Sequence, residues 1–170
     1  MIMWIIFGVV VVLLIGFIVF SAIKDRIAKK KRRMQEIAFK ALAQERKEAT
    51  VIMLQLLVAK NQEVLDSFEP SIGSFKMSQV VDTARDFLLQ YQQEKEFKDY
   101  VSTYTGNKTL MKHYAILRDR RSTLWKNEKN SLKFIEDEYF LIDQDNKKDL
   151  ITEVKEEIEE FYNNAFNKKS

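Results

Sequence analysis

His113 is the single imidazole of a 170-residue chain that contains no cysteine. Those two counts exclude disulfides, thiolate zinc sites, thiol catalysis, iron–sulfur ligation and any site that needs two imidazoles. Serines and aspartates are available for a Ser-His-Asp relay. However, the chain has no nucleophile elbow of the GxSxG kind, and a triad is defined by geometry rather than by residue counts. With Lys112, Tyr114 and Arg118 around it, His113 reads as a surface or half-buried helix histidine.

Three further stretches carry residues of the right chemical type at the wrong spacing. From Asp143, DQDNKKDLITEV places Asp143 and Asp145 at the first and third positions of a calcium loop. Lys147 then stands at the fifth, Lys148 replaces the required Gly and Val154 the bidentate Glu, so the stretch reads as a turn with a helix cap. Thr105-Gly106-Asn107-Lys108-Thr109 lacks the adjacent Gly-Lys pair of a phosphate loop and also reads as a turn and a cap. It contains an Asn-Lys-Thr glycosylation sequon as well, which a cytosolic chain would never present to the transferase. Glu153, Glu156, Glu157, Glu159 and Glu160 lack the Glu-x-x-His pairs of a carboxylate-bridged metal site, so they predict a solvent face or a surface for a basic partner. No cofactor and no metal is expected, and no catalytic residue is assigned.

Two groups are candidates for binding. Arg118, Arg120, Arg121, Lys126 and Lys129 surround Trp125, and cations beside an aromatic ring suit phosphate, RNA, lipid headgroups or a protein partner. The same cations could equally pair with the acidic C-terminal helix or simply be solvated. Arg118, Arg120, Arg121 and Trp125 are the expected partner contacts. The second group is Lys29, Lys30, Lys31, Arg32 and Arg33, five consecutive cations that would attract anionic lipid, with Trp4 as an interfacial aromatic at the opposite end of the segment before them.

The elements that must position these groups follow from hydropathy. Residues 1–23 contain no charged side chain. As a helix they would extend about 35 Å, enough for a hydrocarbon core of about 30 Å. No basic n-region precedes the apolar run and Val19-Phe20-Ser21 is a poor cleavage site, so the segment predicts an uncleaved anchor rather than a signal peptide. Residues 24–33 hold seven basic residues and one acid, net +6. Cations on that flank place the N-terminus outside and the remainder in the cytosol. Gly8 and Gly16 stand eight apart, so the GxxxG pairing motif is absent.

The whole chain carries +3, so the part outside residues 24–33 carries −3 and general nucleic-acid binding is disfavoured. Apolar spacing predicts helices over 34–68, 75–104, from Thr109 onward, and from about 149 to 165 with Asp149 as N-cap. Val51 to Val58 is apolar nearly all round and belongs in a core. Pro70 and Gly73 mark a break, with Ser74 or Ser78 as the next cap. Residues 132–143 fit a short helix or a strand, and helix is preferred because no partner strand is evident. Residues 108–133 carry net +6 and residues 136–160 net −8, so the third and last helices would attract each other if packed antiparallel.

The expected fold is all-α: a single N-terminal transmembrane helix (1–23), a basic juxtamembrane segment (24–33) and a cytosolic bundle of four or five helices (34–170). The expected function is a non-enzymatic, single-pass cell-membrane adaptor or scaffold, with its N-terminus outside and its C-terminal domain cytoplasmic. It would contact the membrane, anionic lipid at the inner leaflet and a protein partner, as an accessory subunit of a larger complex. The alternatives are a membrane-bound enzyme or immunity-type inhibitor with a cleft in the bundle, and a membrane-proximal nucleic-acid binder. No motif specific to one family is present.

Overall fold

The computed structural model describes residues 2–67, 74–119 and 125–167; the side chains at 2, 4–6, 9–12, 74–78, 126 and 167 lie outside that description. The described residues form helices and turns, with no strand among them. The first helix, α1, runs from Ile2 to Asp66. Its length follows from composition: no Gly or Pro interrupts the chain between Phe17 and Glu69, so nothing breaks the backbone hydrogen-bond ladder. Four more helices follow: α2 (Ser74–Tyr91), α3 (Lys108–Arg118), α4 (Lys129–Phe140) and α5 (Lys148–Asn167). Pro70 and Gly73, and the side chains of Ser74 and Ser78, lie outside the described residues.

The chain divides into two compact units, Met1–Ala41 and Leu42–Ser170. In the first, every described side chain is exposed. Among the described residues, no helix is long and apolar enough to cross a membrane. Much of the 1–23 segment, Trp4 included, has side chains outside that set.

The second unit is a helical bundle closed around a core. Val51, Ile52, Met53, Leu54 and Leu57 of α1 are buried, as the all-round apolar stretch at 51–58 predicts. Val51, Met53, Leu54 and Leu57 meet Val80, Ala84, Phe87 and Leu88 of α2, Leu110, Tyr114 and Leu117 of α3, Ile135 of α4, and Val154, Ile158 and Tyr162 of α5. α2 packs against both α3 and α5, and α3 against α4. Hydrogen bonds tie the buried phenols: Tyr114 Oη donates to the Leu88 carbonyl at 2.6 Å, and Tyr162 Oη to Asn61 Oδ1 at 3.2 Å. Burial raises the pKa of both phenols, so they stay neutral donors. Thr50 and Thr83, both inside helices, bond back to the carbonyls of Arg46 and Gln79, each at 2.8 Å.

Several expectations are corrected. The second helix ends at Tyr91 rather than near 104, and Phe97–Ser102 forms a π-helical turn. Phe97 and Val101 are the buried residues of this turn. Asn107, also buried, donates from Nδ2 to the Val101 carbonyl at 3.3 Å and joins this turn to the 3₁₀ turn Thr105–Asn107. A Cβ at Gly106 would fall 2.5 Å from the Tyr104 ring, so a side chain there would push that ring aside.

α3 stops at Arg118 instead of continuing toward 133. The 132–143 stretch is helical to Phe140 and then turns, which settles the helix-or-strand ambiguity for helix. α5 starts at Lys148 after a 3₁₀ turn at Asp145–Lys147, so Asp149 sits in its first turn and is not its N-cap. There its carboxylate still complements the helix dipole.

Candidate functional site

Of the basic and aromatic residues near 118–125, Trp125 and Arg118 are described, and the fold uses both. Trp125, in a 3₁₀ turn at Trp125–Asn127, is 3% exposed, and its Nε1 donates to the Leu117 carbonyl at 3.0 Å. The indole therefore satisfies a carbonyl in the last turn of α3 while filling the core. Arg118, half-buried, donates from Nη1 to Gln92 Oε1 and links the end of α3 to the turn after α2. Arg120 and Arg121 lie outside the described residues, as does the Lys126 side chain.

His113 is also absorbed by the fold. Its Nδ1 lies 3.0 Å from Ser131 Oγ, and its ring stacks on Phe134 with centroids 4.4 Å apart. Ser131 and Phe134 belong to α4, so the imidazole is a bracket between α3 and α4. Burial, with Lys112 assisting, lowers its pKa and favours the neutral ring.

The described residues also show cross-links that sequence reasoning missed. One turn of α1 supplies the cross-links. Arg46 Nη1 meets Glu96 at 2.7 Å, Lys47 Nζ meets Glu138 on α4 at 2.5 Å, and Glu48 receives Lys147 at 3.4 Å. Three consecutive residues thus point to three different parts of the bundle, as their 100° spacing around a helix allows. No spacing rule signals such pairs, because each joins residues far apart in sequence.

Beside this turn lies a polar cluster. Thr50 Oγ1 is 3.5 Å from Tyr91 Oη. Burial raises the Tyr91 pKa, the Thr50 hydrogen bond opposing it. Glu94 is raised by burial and then by repulsion from Glu157 and Glu96, with Arg46 opposing; Glu157 is raised by burial and by Glu153. These carboxylates do not assemble into a metal centre: among the described residues, no group of three or more His, Asp or Glu could hold an ion. The Asp143 stretch closes on itself, Asn146 donating to both Asp143 carboxylate oxygens, as a turn should.

Two surfaces remain. On the bundle, a cleft of about 400 Å³ lies between α1 and α5, with Leu56, Ala59, Ile151 and Ile158 as its apolar floor and Lys60, Glu63, Lys155 and Glu159 around it. In the N-terminal unit, Leu13, Leu14, Ile15, Phe17, Ile18, Val19 and Phe20 are each more than half exposed, and Lys29, Lys30, Lys31, Arg32 and Arg33 all reach solvent. An apolar surface that circles a helix is stable only when something apolar surrounds it. No family model, curated protein or solved structure matches the chain.

Proposed function

We propose that the protein is a non-enzymatic, single-pass membrane adaptor or scaffold, serving as an accessory subunit of a larger membrane complex. Residues 1–23 are its anchor, and the bundle from Leu42 onward is its folded cytoplasmic module. The observation that carries this reading is the uninterrupted apolar surface of residues 13–20, all exposed, in a helix whose first 23 residues contain no charge. Acyl chains are the environment in which such a surface carries no cost, because a helix satisfies its own backbone polar groups. The +6 at residues 24–33 supports an orientation with the bundle in the cytosol, and Lys29 to Arg33 would meet anionic headgroups there. Tethering then raises the local concentration of the bundle, so that weak contacts suffice for assembly.

Vesicle flotation after an alkaline carbonate wash tests the anchor. The full chain should float with the lipid. A chain lacking residues 1–23 should stay in the soluble fraction and keep the helical circular dichroism of a folded bundle. A full chain released by the wash would overturn the anchor, and a random-coil spectrum from the truncated chain would overturn the independent module.

A further inference from the structure

We infer that residues 24–41 of α1 form one strand of a coiled coil whose other strand is a helix with acidic flanks, supplied by another protein. The stretch has a heptad seam. Ile27, Met34 and Ala41 fall at one core position and Lys30 and Ile37 at the other, alternating by three and four residues. Ile27, Met34 and Ile37 are 64%, 62% and 63% exposed, so the seam is uncovered within its own unit. Ile27 to Ala41 lies beyond the uncharged segment, where lipid would not cover it if that segment spans the bilayer; to this extent the inference rests on the proposed anchor.

Charge selects the occupant. The positions flanking the seam carry Lys24, Arg26, Lys31, Arg33 and Lys40, with Ala38 as the neutral member, while the acids Asp25 and Glu36 fall on the opposite side of the helix. A second copy of the chain in parallel would bring Arg26 against Lys31 and Lys30 against Lys30. Like charges at those sites reject self-pairing, and a strand with Glu or Asp at its flanks relieves every one of them. A lipid surface fits the charge but not the backbone. To lie flat while residues 1–23 span, the helix needs a sharp bend near 24, and α1 has neither Gly nor Pro there.

The test uses the full chain in phosphatidylcholine nanodiscs and two synthetic heptad peptides. Both have Ile and Leu on the seam; one has Glu and the other Lys on the flanks. The Glu peptide should bind at least about tenfold more tightly than the Lys peptide. I27N/M34N/I37N should weaken that binding about tenfold or more, because three buried apolar anchors are lost while every charge stays. K24E/R26E/K31E/R33E should reverse the preference. Equal binding of the triple variant and the native chain would reduce the effect to charge attraction and overturn the seam.

The chain has no cysteine, so Met34→Cys is a clean reporter. Quantitative disulfide cross-linking between copies at Met34→Cys would overturn the proposal in favour of a second copy. A blue shift of a dye at that cysteine on adding phosphatidylserine would overturn it in favour of the membrane surface. Failure of the anchor is read separately: a chain that does not float with vesicles still shows or lacks peptide binding in buffer.

Discussion

The helix up to Ala41 and the bundle after it are built from the same residue types arranged to opposite ends. In the N-terminal unit Phe17, Ile18 and Phe20 stand in the open, whereas in the bundle Leu54, Leu88 and Leu117 have no exposed surface at all. Burying an apolar side chain is worth about 1.5–3 kcal/mol, so the bundle obtains its stability from within and the N-terminal helix must obtain its own from outside. Polar groups divide the same way. Lys29 to Arg33 point to solvent, while Arg46, Lys47 and Glu48, more than three turns farther along the same helix, are each paired across the bundle. The difference teaches that one continuous α-helix can be an exposed apolar and cationic surface in one stretch and a structural member in another, with the change falling where neighbouring helices begin to cover it.

The sharpest way to break this contrast is truncation of apolar side chains on both sides. Leu117→Ala should destabilise the bundle by about 3 kcal/mol in urea denaturation, since it empties a fully enclosed site. Phe17→Ala should leave the bundle's unfolding unchanged; an equal loss would mean that the two units are one cooperative structure. Next in size is Trp125→Phe. It removes the donor to the Leu117 carbonyl and should cost about 1–2 kcal/mol in thermal unfolding. Retained stability combined with lost partner capture would restore Trp125 to the binding surface from which its burial removes it.

Two titrations sharpen the picture at smaller scale. The lowered pKa of His113 means that its charged form is disfavoured in the folded state. The unfolded chain therefore binds the extra proton first, and stability falls as pH drops through the ordinary histidine value of 6.5 toward the folded one. His113→Gln should flatten that slope, a change of at most about 0.5 kcal/mol for a ring that keeps solvent contact.

Glu94 and Glu157 run the other way. Their raised pKa values mean that the folded state holds the protons longer, so ionisation destabilises the bundle above the ordinary carboxylate range. Glu157→Gln should raise the melting temperature slightly at pH 7 and leave it unchanged near pH 4. A lowered melting temperature at pH 7 would show instead that the Glu157 carboxylate has a favourable partner.

Much of the architecture was legible in the residues. The unbroken helix as far as Asp66, the core stretch at 51–58, and the helical stripe at Leu150, Val154, Ile158 and Tyr162 all follow from local pattern. What was missed lies where local signals compete with packing. The polar stretch after Tyr91 kept a helical pattern, yet the α-helix ends there and a π turn follows at Phe97–Ser102, which periodicity does not announce. Trp125 read as exposed among cations because sequence shows which residues are near in the chain, not which ring turns inward. Arg118 and His113 were likewise legible as charges and rings, but their use depends on Gln92, Ser131 and Phe134, which other helices deliver.

By itself, the sequence determined what kind of element each stretch could be: an uncharged apolar helix, a cluster of cations beyond it, and amphipathic helices that had to bury one face each. Periodicity is a property of neighbours along the chain, so it needs no tertiary information. Only the tertiary structure decided which cations are spoken for and which remain open. An ion pair such as Lys47–Glu138, or a buried indole bond such as Trp125 to Leu117, exists only once α1, α3 and α4 have docked. Docking removes water, and that turns a charge or a ring into a structural part in the bundle, while its counterparts in the N-terminal helix stay exposed.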